Sequence, residues 1–252
     1  MRYLFCFLLC LLFAACGFSP AEDSGPVVLD IGHQSTAGGA ASPDGAVNEY
    51  EFWCTYAGEV KAAIEAAGYS CVVLNRSVAP TKKNLKAACQ AAGVVQLNKP
   101  DKGAKRYPST HYPEHIGCGM ISADCAIDLK ARCMVFLHLN STGSKWVSKA
   151  PSGLIICNRK LGQELAASMC DVMRREHPTQ MRSIKVLPRY IGSQPSAGWM
   201  NALDEAGIPA IVFEALYVNH RPHVDYIRND ANARKLARSI GAGVVEWLQK
   251  QK

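Results

Sequence analysis

Three ionisable side chains in this sequence close short apolar runs. Val27-Val28-Leu29-Asp30-Ile31-Gly32 leads to His33, Met134-Val135-Phe136-Leu137 leads to His138, and Ile211-Val212-Phe213 leads to Glu214. A titratable group that ends a buried strand is costly unless paired, so a cation or a catalytic partner is its expected companion. Glu49 supplies a fourth group. It follows Asn48, a good helix N-cap after the turn-rich Ser42-Pro43-Asp44-Gly45, and Glu51 stands three residues beyond that cap, at the capping-box position. Glu51 is therefore assigned to the helix end, and Glu49 is left to reach a cation. Two neutral imidazoles and one carboxylate, His33, His138 and Glu49, form the three-ligand set of a catalytic zinc with its fourth position open to water. Glu214 is then the unligated base. Taken singly, each residue has a plain structural reading: a satisfied core histidine, a helix-dipole glutamate, an Arg-paired carboxylate. Their joint placement at strand and helix ends favours the site.

The elements that must position these groups alternate. Short β-branched runs at Val27–Ile31, Cys71–Leu74, Met134–Leu137, Leu154–Cys157, Ile184–Leu187 and Ala210–Phe213 predict strands. Apolar stripes at three-to-four spacing predict helices between and after them. The first carries Phe52, Trp53, Tyr56, Val60, Ala63, Ile64 and Ala67 and stops at Gly68; the second carries Leu161, Leu165, Met169, Val172 and Met173; the last carries Leu236, Ile240, Val244 and Leu248. Parallel strands need crossovers that bury their stripes on the sheet, so the fold class is α/β, a single domain with a largely parallel twisted sheet and helices on both faces. In such sheets ligands bind beyond the carboxyl ends of the strands, where His33, His138 and Glu214 fall. The stretch Gly93 to Met120 has no periodicity and reads as a long inserted surface loop.

With these motifs in order, the chain resembles the zinc-dependent N-acetylmuramoyl-L-alanine amidases of the amidase-3 type, which hydrolyse bacterial peptidoglycan. The residues that carry the resemblance are Asp30-Ile31-Gly32-His33, Asn48-Glu49, His138-Leu139-Asn140, and Glu214 with Asn219. It extends from Val27 to about Leu248, apart from the inserted segment. The resemblance implies that His33, Glu49 and His138 hold zinc, that Glu214 is catalytic, and that the substrate is peptidoglycan or a muropeptide, cut between N-acetylmuramic acid and L-alanine. The chain departs from the family pattern after His33, where Gln34-Ser35 stand in place of the usual Gly-Gly and the glycines come at Gly38-Gly39. That departure bears on the loop and the substrate subsites. It also keeps open a non-catalytic wall-binding module with a decayed site. His111-Tyr112-Pro113-Glu114 matches the H-x-x-E of zinc carboxypeptidases, the second enzyme reading, although prolines flank it and no strand precedes it. His220 and His223 read as solvated loop histidines or as groove-lining groups.

The amino terminus bears on the compartment. Met1-Arg2, an apolar run from Tyr3 to Phe13 and the small residues Ala14-Ala15-Cys16-Gly17 form a secretory signal of residues 1–21, followed by a linker at 22–26 and the catalytic domain over 27–252. The apolar run is too short to span a bilayer. Phe13-Ala14-Ala15-Cys16 matches a bacterial lipobox, with Cys16 taking the lipid, and Ser19-Pro20-Ala21 offers an ordinary cleavage site. Either way the expectation is export to the periplasm or cell envelope. Attachment through Cys16 and an activator protein are the partners this reading admits beyond the substrate.

Of 11 cysteines, Cys6, Cys10 and Cys16 lie in the leader. The rest lack zinc-ribbon spacing, and Cys118, Cys125 and Cys133 are the foremost candidates for disulfides. With 48% hydrophobic and 19% charged residues the chain is globular and not disordered. Its 28 Lys and Arg against 21 Asp and Glu give a net charge of +7, but they are scattered, which argues against nucleic acid and suits an anionic envelope.

Overall fold

The computed structural model describes residues 25–33, 38–76, 80–97, 109–115, 117, 119–158, 161–188 and 195–252. The expected leader, lipobox and most of the linker, together with Gln34-Ser35 and Cys118, lie outside them. In chain order the elements are β1 (Val27–Ile31), α1 (Glu49–Ala66), β2 (Cys71–Asn75), α2 (Lys83–Ala91), β3 (Val95–Gln96), α3 (Met120–Asp128), β4 (Cys133–Leu137), β5 (Leu154–Cys157), α4 (Gly162–Glu176), β6 (Lys185–Pro188), α5 (Pro195–Glu205), β7 (Ala210–Glu214), α6 (Arg221–Arg228) and α7 (Asp230–Lys250).

The seven strands form one sheet in the order β3-β2-β1-β4-β7-β5-β6. From β1 the chain winds outward through β2 to β3, then returns to place β4 on the other side of β1. The strand order therefore reverses between β1 and β4, and the crevice that such a reversal opens lies beyond their carboxyl ends. In register, Ile31 stands beside Leu137, so the residues that follow, Gly32-His33 and His138, share that crevice. β7 extends the arrangement: it pairs parallel with β4, Phe213 beside Leu137, which puts Glu214 next to His138.

Side-chain alternation along the strands feeds two cores, one on each face of the sheet. Val27, Leu29 and Ile31 face a large layer with Trp53, Val60 and Ile64 of α1, Leu165 and Met169 of α4, and Leu236, Ile240 and Val244 of α7. Val28, Met134, Phe136 and Val212 face a smaller layer with Met120 and Ala123 of α3 and Trp199 and Leu203 of α5. The central strands β1, β4 and β7 are buried on both sides, as their continuous apolar runs require, while the edge strands β3 and β6 are more exposed. Among the described residues no helix is long and apolar enough to cross a membrane.

Four features differ from the sequence reading. β5 runs antiparallel to β7 while pairing parallel with β6, so two strands of the sheet are reversed. The supposed inserted loop begins inside the sheet: Val95 and Gln96 pair with Leu74 and Asn75 as the edge strand β3. Helices α2, α3, α5 and α6 went unread because three of them have eight or nine residues, too few for a stripe to declare itself, and α5 follows a Gly-Ser-Gln-Pro stretch that reads as loop. Cys125 and Cys133, two of the three expected disulfide formers, carry free thiols, as do Cys54, Cys71, Cys89, Cys157 and Cys170. Cys133 is fully enclosed in β4, where it packs as a small apolar residue.

Candidate metal centre

His33, Glu49 and His138 converge although 105 residues separate the two histidines. One ligand atom from each lies within 4.8 Å of the others. His33 Nε2 is 3.0 Å from Glu49 Oε2, His138 Nδ1 is 2.9 Å from Glu49 Oε1, and the two ring nitrogens are 3.2 Å apart.

The backbone around each residue explains the convergence. His33 takes a left-handed conformation, φ 66°, which swings its ring back over the crevice. Gly32, just before it, is pressed so closely on β4 that a Cβ would lie 2.4 Å from the Leu137 carbonyl and 2.8 Å from the His138 ring. Glu49 opens α1 behind Asn48, whose side-chain oxygen accepts the Glu51 amide at 3.2 Å, so the predicted N-cap is formed. The reciprocal half of the capping box is not what engages Glu51, because its carboxylate turns to Lys82 instead.

Glu49 is 1% exposed, and both its oxygens receive backbone donors: the Leu139 amide to Oε1 at 2.8 Å and the Ala40 amide to Oε2 at 2.7 Å. Burial by itself pushes this carboxyl up, but hydrogen bonds from His138 and His33 overcome it and hold the group at about 2. It is therefore an anion at neutral pH. Two imidazole nitrogens and one fixed carboxylate aimed at a common point fit a divalent cation of the zinc type, and three protein ligands leave room for water.

Glu214, half-buried at the end of β7, takes a hydrogen bond from Asn140 Nδ2 at 3.3 Å. Asn140 is itself fixed, its amide donating to the Leu216 carbonyl at 2.7 Å. The fully buried Asn219 braces the loop after Asn140, donating to Thr142 Oγ1 at 2.9 Å and to the Lys145 carbonyl at 3.0 Å. Asp30 lies beneath the crevice, fully buried, accepting from Ser122 Oγ at 2.6 Å and paired with Arg76 at 3.2 Å. Burial raises its carboxyl above the usual range, and Arg76 and Ser122 offset part of that rise.

The other candidate residues go elsewhere. His111 Nε2 meets Asp128 at 2.9 Å and not Glu114, so the carboxypeptidase-like pair is not assembled. His223 is 8% exposed, a buried brace and not a solvated histidine: its Nδ1 accepts the Tyr217 amide at 3.1 Å and its ring packs on His220 at 4.5 Å. Sequence reasoning did not find Gly39, Ala40 and Leu139 as parts of the Glu49 cradle, since backbone donors leave no side-chain signature. Arg76 and Ser122 had one available signal, the charged Asp30 inside an apolar strand, which demands a partner.

A doubly wound sheet whose reversal point gathers two histidines and a glutamate, with Glu214 on the adjoining strand, offers a candidate metal site of the kind hydrolases use. The family model for N-acetylmuramoyl-L-alanine amidases, Amidase_3, matches residues 27–246, and the chain belongs to that family. Solved structures share the fold. The CwlD amidase from Clostridioides difficile, solved in complex with the GerS lipoprotein, superposes with a TM-score of 0.61 at 15% identity over 90% of this chain and 100% of that one. An N-acetylmuramoyl-L-alanine amidase from Clostridium difficile 630 gives 0.59 at 18% identity over 92% and 100%. AmiC2 of Nostoc punctiforme gives 0.57 at 17% identity over 90% and 99%. No curated protein matches the chain.

Proposed function

We propose that this protein is an exported, zinc-dependent amidase that hydrolyses the amide bond between N-acetylmuramic acid and the L-alanine of the peptidoglycan stem. His33, Glu49 and His138 hold the metal and Glu214 is the catalytic base. The observation that carries the reading is the convergence of three ligand atoms within 4.8 Å of one another, next to Glu214 on the adjoining strand, in a chain of this family.

Zinc in this set supplies Lewis acidity toward water and the scissile carbonyl. The protein's own groups do the rest. Glu49, tied down by two backbone amides, presents a fixed negative charge to the cation. Glu214 takes the proton from the attacking water as its oxygen bonds to the lactyl carbonyl carbon, with Asn140 holding the carboxylate in line. As the C–N bond breaks, Glu214 returns that proton to the alanine nitrogen, which cannot leave as an amide anion. The products are a glycan with a free lactyl carboxylate and a peptide beginning with L-alanine.

Residues 1–21 act as the export signal, with lipid attachment at Cys16 as one outcome, and the enzyme works in the periplasm or envelope. Because CwlD was solved with a lipoprotein, an accessory partner for this chain is part of the same reading.

The test is mass spectrometry of material released from purified sacculi by wild type and by His33→Ala. Intact stem peptides with free L-alanine amino termini, released by wild type alone, support the assignment. Release of glycan fragments, or cleavage within the peptide, overturns it.

A further inference from the structure

His111-Tyr112-Pro113-Glu114 does not form the pair its spacing suggested, and Glu114 has another neighbour. Glu114 Oε1 and Glu205 Oε1 each stand 3.4 Å from His115 Nε2, one from the loop at 109–115 and the other from the last residue of α5. One ligand atom from each of the three residues lies within 4.8 Å of the others.

The spacing is informative because the same loop supplies a reference. His111 approaches Asp128 to 2.9 Å, an ordinary charge-assisted hydrogen bond. His115 keeps 3.4 Å from two carboxylates at once, too far for that bond to either. Donors about 2.0–2.1 Å from a tetrahedral zinc stand about 3.4 Å apart, so a cation fits between these groups as they stand, whereas the donors of His33, Glu49 and His138, 2.9–3.2 Å apart, must spread slightly to take one. The His115 side chain is 11% exposed, whereas Glu114 and Glu205 are 69% and 49% exposed, so a mostly covered imidazole faces two carboxylates at the surface.

The loop is held in place independently. Asp124 of α3, 8% exposed, accepts from Ser109 Oγ at 2.5 Å and from the Thr110 amide at 2.9 Å, and the Ser109 amide closes the loop on the His115 carbonyl at 3.0 Å. Imidazole and carboxylate oxygens together favour a borderline ion of the zinc class over calcium or magnesium, which prefer oxygen alone.

We propose that Glu114, His115 and Glu205 form a second divalent-cation site, which clips the 109–115 loop to the end of α5. Glu205 precedes β7 and therefore stands at the amino ends of the parallel strands, whereas His33 and His138 follow the carboxyl ends. The two sites lie at opposite ends of the parallel strands and load independently.

Zinc content of the full-length protein after equilibrium dialysis against zinc, measured by elemental mass spectrometry, tests this. Wild type should hold two equivalents. His115→Ala should hold one and keep its peptidoglycan-cleaving activity, while His33→Ala should also hold one, retained at the His115 site. Glu205→Gln, a nearly isosteric change at a half-exposed position, should weaken the second equivalent at least tenfold and serves as the check if His115→Ala does not fold. Wild type holding a single equivalent that His33→Ala abolishes overturns the proposal, as does an unchanged content in both His115→Ala and Glu205→Gln. A single equivalent that survives His33→Ala and is lost in His115→Ala would support this site and remove the one proposed for catalysis.

Discussion

Gly39 lies against the carboxylate of Glu49: a Cβ on it would stand 2.4 Å from Oε2, and 2.3 Å from Cδ2 of His33. Its φ of 73° is in the left-handed region as well. The glycine that falls late in the sequence, after Gln34-Ser35, thus has a definite task, which is to let the loop close over two of the three proposed ligands. Gly39→Ala should displace both, adding about 1 kcal/mol of backbone strain to the clash. The expected result is zinc affinity weakened at least tenfold with the fold retained, read by metal competition and circular dichroism. An alanine variant with wild-type zinc affinity would show that the loop has room to spare.

Glu214 ends β7 beside His138 and is held by Asn140. Glu214→Gln keeps the size and one hydrogen-bonding oxygen but cannot accept the proton of the attacking water. Turnover on sacculi should fall by roughly 10²–10⁴, the range expected for loss of a general base, while zinc content stays at the wild-type value. Loss of metal together with activity would instead make Glu214 a ligand.

The ion pair between Asp30 and Arg76 is almost wholly enclosed, at 0% and 4% exposure. Breaking such a pair from one side leaves a buried charge without its partner, at a cost of about 3–5 kcal/mol. Arg76→Met should therefore lower the unfolding free energy in urea by about that amount, and Asp30→Asn in the same chain should recover a large part of it. A single variant within about 1 kcal/mol of wild type would mean that Ser122 and the remaining surroundings suffice for the carboxylate.

Much of this architecture was legible because the physics acts locally. β1, β4 and β7 are apolar runs bounded by polar residues, and their terminal His33, His138 and Glu214 stand out as groups that burial would penalise. Asn48 announced the start of α1 through its side chain, and with it the position of Glu49. The reversal of β5 and β6 was not legible, since a four-residue apolar strand such as Leu154–Cys157 looks the same in either direction. Nor could the sequence reveal that Leu139 and Ala40 offer their amides to Glu49, because that bond depends on where the chain passes and not on side-chain type. The cysteines misled because the stretch around Cys118, Cys125 and Cys133 reads as irregular, whereas Cys125 lies half-exposed on α3 and Cys133 is sealed within β4.

A pH dependence of stability follows from His177. It is 1% exposed at the end of α4, with Nδ1 2.7 Å from Tyr226 Oη and Nε2 3.0 Å from Ser239 Oγ. Burial disfavours the imidazolium and, with repulsion from Lys235, lowers the group from 6.5 to about 4. Above pH 6.5 the folded and unfolded chains both carry it neutral, and its titration contributes no slope. Between pH 6.5 and about 4 the unfolded chain binds a proton that the folded one refuses, so stability falls as the pH falls, by about 3 kcal/mol over the window. His177→Gln removes the titration. The difference in unfolding free energy between wild type and variant should therefore shift against wild type by that amount from pH 7 to pH 4, with carboxylate contributions cancelling. A difference constant across that range would mean that His177 titrates alike in both states and that the packing of α4, α6 and α7 tolerates the charge.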